Sequence, residues 1–236
     1  MKRLLIDAGN TNIKFAVADR ERLLATGVMP TAAEPDFPDL AEVREVWVSN
    51  VAGEELGRKI TELCAPLPVH FIEAAAQQCG VANGYDVPSQ LGPDRWAALI
   101  YAWHVAKRAC LVVNSGTATT IDALSDGGVF IGGLILPGIE LMRRSLYRAA
   151  ANLHEAIGDY ADFPRNTQDA MQSGAIQASC GAIRLQHQRL NSPDAQVLLG
   201  GGAAPLLLQH LNLPVRIVDN PVLHGLLLIA NEAGGA

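Results

Sequence analysis

Cysteine is scarce in this chain and nowhere paired. Its 236 residues include four, Cys64, Cys79, Cys110 and Cys180, with no C-x-x-C spacing. Nothing here suggests a disulfide scaffold, and reduced, partly buried thiols are expected. The six histidines are scattered without H-x-H or H-x-x-x-H spacing, so a zinc site has no support. Long apolar runs are missing too: none approaches the roughly 18 residues a membrane span requires. At the N-terminus, Leu4-Leu5-Ile6 is cut off by Asp7, too short for the core of a signal peptide, so a cytoplasmic protein is expected. No basic run exceeds two or three residues and the net charge is −6, which gives nucleic-acid binding little electrostatic support. Two common nucleotide fingerprints are also absent. There is no G-x-x-x-x-G-K-[ST] loop and no G-x-G-x-x-G opening a helix, so P-loop and Rossmann folds drop out.

What the chain does have is apolar bulk and glycine. Hydrophobic residues make up 49% and charged residues 18%, enough for one large or two small cores. Short apolar runs at 3–8, 12–18 and 22–29 read as a meander of strands, with further strands at 45–51 and 70–72 and a helix over 53–63. Residues 74–92 show no clear period. A helix starts at Pro93, a favoured first helical position, with Trp96, Leu99, Ile100 and Trp103 as its apolar stripe. The opening rhythm then recurs: strand 111–113, a glycine loop, strand 120–124, a turn at 126–128 and strand 129–135. Helices at about 138–156 and 168–190, strands at 196–199 and 215–218 and a helix at 222–233 complete the chain. This predicts an α/β protein with a duplicated lobe, residues 1–110 and 111–236, packed around a cleft.

Two glycine loops open the two halves. The first is Asp7-Ala8-Gly9-Asn10-Thr11-Asn12-Ile13-Lys14 and the second Asn114-Ser115-Gly116-Thr117-Ala118-Thr119-Thr120-Ile121-Asp122. Hairpin turns built from glycine, hydroxyl and amide residues can offer N–H groups and hydroxyls to phosphate. Thr11 and Asn12 can donate, Lys14 adds charge, and Asp7 suits a hydrated Mg²⁺. The plain alternative is an ordinary hairpin turn. Between the loops, the irregular segment Gly84 to Arg95 ends on a helix whose first turn carries an acid and a base. Asp94, beside a helix N-terminus, will be ionised and can accept a proton from an attacking hydroxyl. Arg95 offers a fork for a carboxylate. The alternative is that Asp94 only stabilises its helix and Arg95 is surface charge. The helix at 168–190 carries Gly174, Ala175, Ala178, Gly181 and Ala182, which allow close approach of another helix within the subunit or across a dimer.

On these residues the chain resembles the type III pantothenate kinases, members of the actin-like ATPase fold group. The resemblance runs nearly end to end. It rests on Asp7 to Lys14, on Gly84-Tyr85 with Pro88 and Leu91-Gly92-Pro93-Asp94-Arg95, and on Gly116 to Asp122 and Gly132 to Gly138. Asn166-Thr167, Gly174, Gly200-Gly201-Gly202 and His224-Gly225-Leu226 extend it. The glycine loops are shared across the fold group; the Tyr85-to-Arg95 pattern is far more specific. The resemblance implies ATP-dependent phosphorylation of pantothenate to 4′-phosphopantothenate, the first step of coenzyme A synthesis. It implies that the first loop, with Thr117, binds ATP and that Asp7 holds Mg²⁺ through water, with Asp122 a further metal candidate. Tyr85, Gly92, Pro93, Asp94, Arg95 and Thr167 would bind pantothenate, Asp94 would take the proton of its hydroxyl, and the triple glycine would line the nucleotide side. A homodimer is implied, with no nucleic acid or membrane partner. The chemistry agrees, since phosphoryl transfer requires mainly positioning and charge neutralisation.

One departure stands out. The family usually has Asp where this chain has Asn114, and that Asp is associated with K⁺ or NH₄⁺. At about 4 Å and an effective dielectric near 20, one charge pair is worth about 4 kcal/mol before desolvation. Weak or dispensable K⁺ binding is therefore expected, against the alternative that carbonyl oxygens still hold the ion. Two other functions remain open at this point: another small-molecule kinase of the fold group, or a non-catalytic accessory or regulatory protein.

Overall fold

The computed structural model describes residues 1–149 and 157–235. The chain divides into two compact units, one of Met1–Lys107, Gly128–Phe130 and Asn220–Ala236, the other of Arg108–Gly127 and Ile131–Asp219.

The first unit opens with β1 (Lys2–Ala8), β2 (Asn12–Ala18) and β3 (Leu23–Pro30), an antiparallel meander. β4 (Val43–Asn50) then joins β1 in parallel. After helix α1 (Glu54–Leu63), β5 (Val69–Phe71) adds beside β4, giving the order β3-β2-β1-β4-β5. β1 is covered on both faces, which explains its unbroken run Leu4-Leu5-Ile6. One face (Leu4, Ile6, Ala8, Ile13, Val46, Val48) packs on Leu56 and Ile60 of α1. By strand alternation the other face carries Leu5, Asp7, Lys14, Trp47 and Ser49.

Residues 74–92, expected to be irregular, hold a small hairpin, β6 (Gln77–Gln78) with β7 (Val81–Asn83), and a single 3₁₀ turn at Pro88–Gln90. Cys79 and Gly80, both at positive φ, make its two-residue turn. Helix α2 (Pro93–Ala106) begins at Pro93 and stops at Lys107, whose left-handed backbone ends it. Its burial extends beyond one stripe: Arg95 to Ile100 are all buried.

The second unit repeats the plan. β8 (Cys110–Ser115) and β9 (Ala118–Leu124) are antiparallel, and β10 (Val129–Pro137) follows. The start of β10 counts with the first unit, where Val129 and Phe130 pair with Ala82 and Asn83 of β7. Next come α3 (Ile139–Ala149), α4 (Thr167–Arg189), β11 (Gln196–Gly200), the short helix α5 (Ala204–Leu208) and β12 (Val215–Ile217). Of the helix expected at 138–156, residues 150–156 lie outside the described residues. β11 is parallel to both β8 and β12, so the order β10-β9-β8-β11-β12 mirrors β3-β2-β1-β4-β5 strand for strand. Leu111, Val113, Ile121, Val197 and Leu199 form a core with Ile176 and Ile183 of α4 and Leu207 of α5.

The chain does not divide into two consecutive halves at residue 110. The last helix, α6 (Pro221–Ala233), returns to the first unit and packs on α2, β1 and β4. Gly225 makes the approach possible: a Cβ there would lie 1.9 Å from the carbonyl oxygen of Ala97.

Candidate functional site

The first glycine loop is the β1–β2 turn. The Gly9 N–H donates to the Asn12 carbonyl (3.1 Å), and the Thr31 hydroxyl braces the loop by donating to the Gly9 carbonyl (2.6 Å). Asn10, Thr11 and Asn12 are exposed, whereas Ala8 and Ile13 point into the core and have only backbone to offer a ligand. Asp7 lies between Lys14 of β2 and Ser49 of β4 in one cross-strand row. Burial of its carboxyl and, after it, the Asp94 carboxylate push Asp7 up to about 7, with Lys14 opposing. So the fold brings Asp7, Lys14 and Asp94 together, although Asp94 is 87 residues away in sequence.

Asp94 sits in the first turn of α2, with Oδ1 folded back over Gly92: a Cβ on Gly92 would lie 2.6 Å from it. Arg95 is not surface charge, being only 7% exposed. Its guanidinium donates to the Tyr85 hydroxyl (3.2 Å) and lies 5.8 Å from the Tyr85 ring centroid and 5.9 Å from that of Phe130. Tyr85 and Phe130 pack with centroids 5.1 Å apart. Asn83 fixes the approach, accepting from the Tyr85 N–H (3.0 Å) and donating to the Pro88 carbonyl (3.2 Å). Asn83, Phe130 and Thr31 went unnoticed in the sequence. Phe130 is separated from Tyr85 by 45 residues, and no local pattern links them.

In the second unit the glycine loop turns between β8 and β9. Thr117 is exposed at its tip, and its carbonyl accepts from the Gly138 N–H (2.9 Å). Asn114 pairs in register with Thr120 and Gly200. Asp122, 2% exposed, lies on that same face of the sheet, away from the α4 core. Gly201, at φ 93°, comes so close to Ser115 that a Cβ would lie 2.3 Å from its carbonyl oxygen. Thr167 stands exposed at the start of α4, where the Asn166 side chain caps the helix by accepting from the Asp169 N–H (2.9 Å).

No group of three His, Cys, Asp or Glu side chains that could cage a metal occurs among the described residues. Asp7 beside an exposed phosphate-type loop suits a cation that keeps its waters and takes one or two protein carboxylates, as Mg²⁺ does. All four cysteines are free, and burial pushes Cys64 up to about 11 and Cys79 and Cys110 up to about 12, which leaves them inert.

The folding pattern is that of the actin-like ATPases, shared with MreB 5 of Spiroplasma citri bound to AMPPNP (TM-score 0.50, 11% identity, 100% of this chain and 99% of that one). A protein of Campylobacter jejuni named as a Baf family transcriptional activator matches at TM-score 0.67 and 23% identity over 99% of this chain and 100% of its own. The family model for type III pantothenate kinase matches residues 3–189. A type III pantothenate kinase of Aromatoleum aromaticum is 46% identical over 240 residues, covering 99% of each chain. The chain belongs to the type III pantothenate kinase family.

Proposed function

We propose that the chain transfers the γ-phosphate of ATP to the 4′-hydroxyl of pantothenate, the first step of coenzyme A synthesis, with Asp94 as proton acceptor. The observation that carries the reading is that Asp94, in the first turn of α2, stands near enough to Asp7 to raise its proton affinity, while Lys14 pairs with Asp7 across the first sheet. The loop from Asp7 to Lys14 and Thr117 bind the ATP phosphates. Asp7 would hold Mg²⁺ through water, and Asp122 is a further candidate metal residue. Magnesium would supply the charge neutralisation without which Asp7 and Asp122 would repel the triphosphate. Tyr85, Arg95 and the Gly92–Pro93 turn bind pantothenate, the buried guanidinium serving as its carboxylate fork. Offering MgATP with pantothenate and with a panel of other small alcohols, and following ADP release, tests this. Turnover confined to pantothenate is expected; equal turnover with an unrelated alcohol contradicts it.

We further propose a homodimer in the cytoplasm, without nucleic-acid or membrane partners. Among the described residues, Gly174, Ala178 and Leu185 lie exposed and Gly181 half-buried along one stripe of α4, and added Cβ atoms at Gly174 and Gly181 would meet nothing within 4 Å. Ile135 (65% exposed) and Phe163 (90%) extend the exposed apolar surface of the same unit. Thr167 begins the same helix, which supports a substrate contact near the interface. Among the described residues no helix is long and apolar enough to cross a membrane. At Asn114 the missing charge makes K⁺ or NH₄⁺ weakly held or dispensable.

A further inference from the structure

Ser49 is fully buried, and among the described residues its hydroxyl has no hydrogen-bond partner. Such a group is costly to bury, and alanine would pack the same strand without that cost. Its place is specific. Parallel pairing sets Ser49 beside Asp7, and antiparallel pairing sets Lys14 on the other flank, so the row reads Lys14–Asp7–Ser49. Register partners share a face and lie about 5 Å apart. That face is the one on which α2 and α6 rest, and the first turn of α2 carries Asp94. The neighbours of Ser49 along β4, Val48 and Asn50, are otherwise occupied. Val48 belongs to the α1 core, while Asn50 closes the turn into α1 by donating to the Gly53 carbonyl (2.9 Å) and accepting from the Ala52 N–H (3.0 Å).

We propose that Ser49 is a positioning residue of the kinase site, whose hydroxyl, unpartnered in the ligand-free chain, holds through a water the Asp7 carboxylate in the orientation that receives a hydrated divalent cation. The second unit supports this by contrast. Its topology repeats that of the first, and the equivalent row reads Thr120–Asn114–Gly200, with no acid in the middle and no hydroxyl where Ser49 would stand. The acid and the hydroxyl occur in the same row. The proposal rests on Asp7 being the cation-side carboxylate.

The test compares Ser49→Ala, Ser49→Thr and Ser49→Cys with Asp7→Asn. Three quantities are read: Mn²⁺ binding in the presence of ADP by electron paramagnetic resonance, the Mg²⁺ concentration for half-maximal kinase rate, and KM for pantothenate. Ser49→Ala is expected to weaken Mn²⁺ binding and raise the Mg²⁺ requirement by about tenfold, the usual cost of losing an outer-shell partner. KM for pantothenate stays put, and Ser49→Thr restores cation binding to within about twofold of the parent. Ser49→Cys, of nearly the same size but a weak donor, behaves as Ser49→Ala does and stands in for it should the alanine variant not fold. Wild-type cation binding in both the alanine and cysteine variants overturns the proposal. Unchanged cation binding in Asp7→Asn instead overturns the role of Asp7, and the assignment of Ser49 falls with it.

Discussion

At Asp7 a carboxyl group is poorly solvated and faces a second acid, with one lysine to offset it. Its affinity for a proton rises from 3.8 to about 7 for that reason. Between about pH 4 and 7 the folded chain holds a proton here that the unfolded chain has released, so stability falls as pH rises through that window. The ligand-free protein should therefore lose a few kcal/mol from this group on going from pH 5 to pH 8, and Asp7→Asn should remove the loss. Urea denaturation of both proteins at the two pH values checks it. If Asp7 holds the cation as proposed, binding must also expel the proton, so titration calorimetry in buffers of different ionisation enthalpy should show about one proton released at pH 6 and fewer at pH 8. Arg95 makes a different demand. Lysine retains the charge but not the fork or the stacking over Tyr85 and Phe130. Arg95→Lys should raise KM for pantothenate by about tenfold or more with a smaller effect on KM for ATP, measured in steady-state assays.

Among the elements, α2 has the most to hold. It presents Asp94 and Arg95 from its first turn, and it is fixed from behind by α6 through the contact of Gly225 with Ala97. Gly225→Val should force the helices apart and cost about 3 kcal/mol or more, seen as a lower thermal midpoint for the purified variant. The start of α2 was legible in the sequence because Pro93 marks a first helical turn by its own stereochemistry. The meander was legible because short apolar runs and tight turns are local. The β6–β7 hairpin was not, since strands of two and three residues leave no period, and neither was α5. Nor could the burial of Arg95 be read, because it depends on Phe130 arriving from another part of the chain. The return of α6 to the first unit is likewise decided by packing that no neighbouring residue announces.

For the molecule as a whole, duplication is the organising fact, and it was visible as a repeated rhythm before the matching strand orders made it explicit. The duplicated sheets differ in chemistry. One places an acid, a lysine and a buried hydroxyl in a row, while the other places Asn114 between Thr120 and Gly200. With no charge at Asn114, replacing K⁺ by Na⁺ should change the rate by less than about threefold, and strict K⁺ dependence at millimolar levels would contradict that reading. The stripe on α4 sets an expectation for assembly: Ala178→Arg should convert a dimer to monomers in light scattering and lower activity with it. What neither composition nor topology supplies is the reaction itself, for which Asp94 is the proposed proton acceptor. The most direct measurement is phosphorus NMR of a mixture of MgATP and pantothenate with the wild-type chain and with Asp94→Asn. The wild type should yield a phosphomonoester on the 4′-hydroxyl, and the variant should form it at least about a hundredfold more slowly while still binding MgATP. The same product formed by Asp94→Asn at a near wild-type rate would contradict the account.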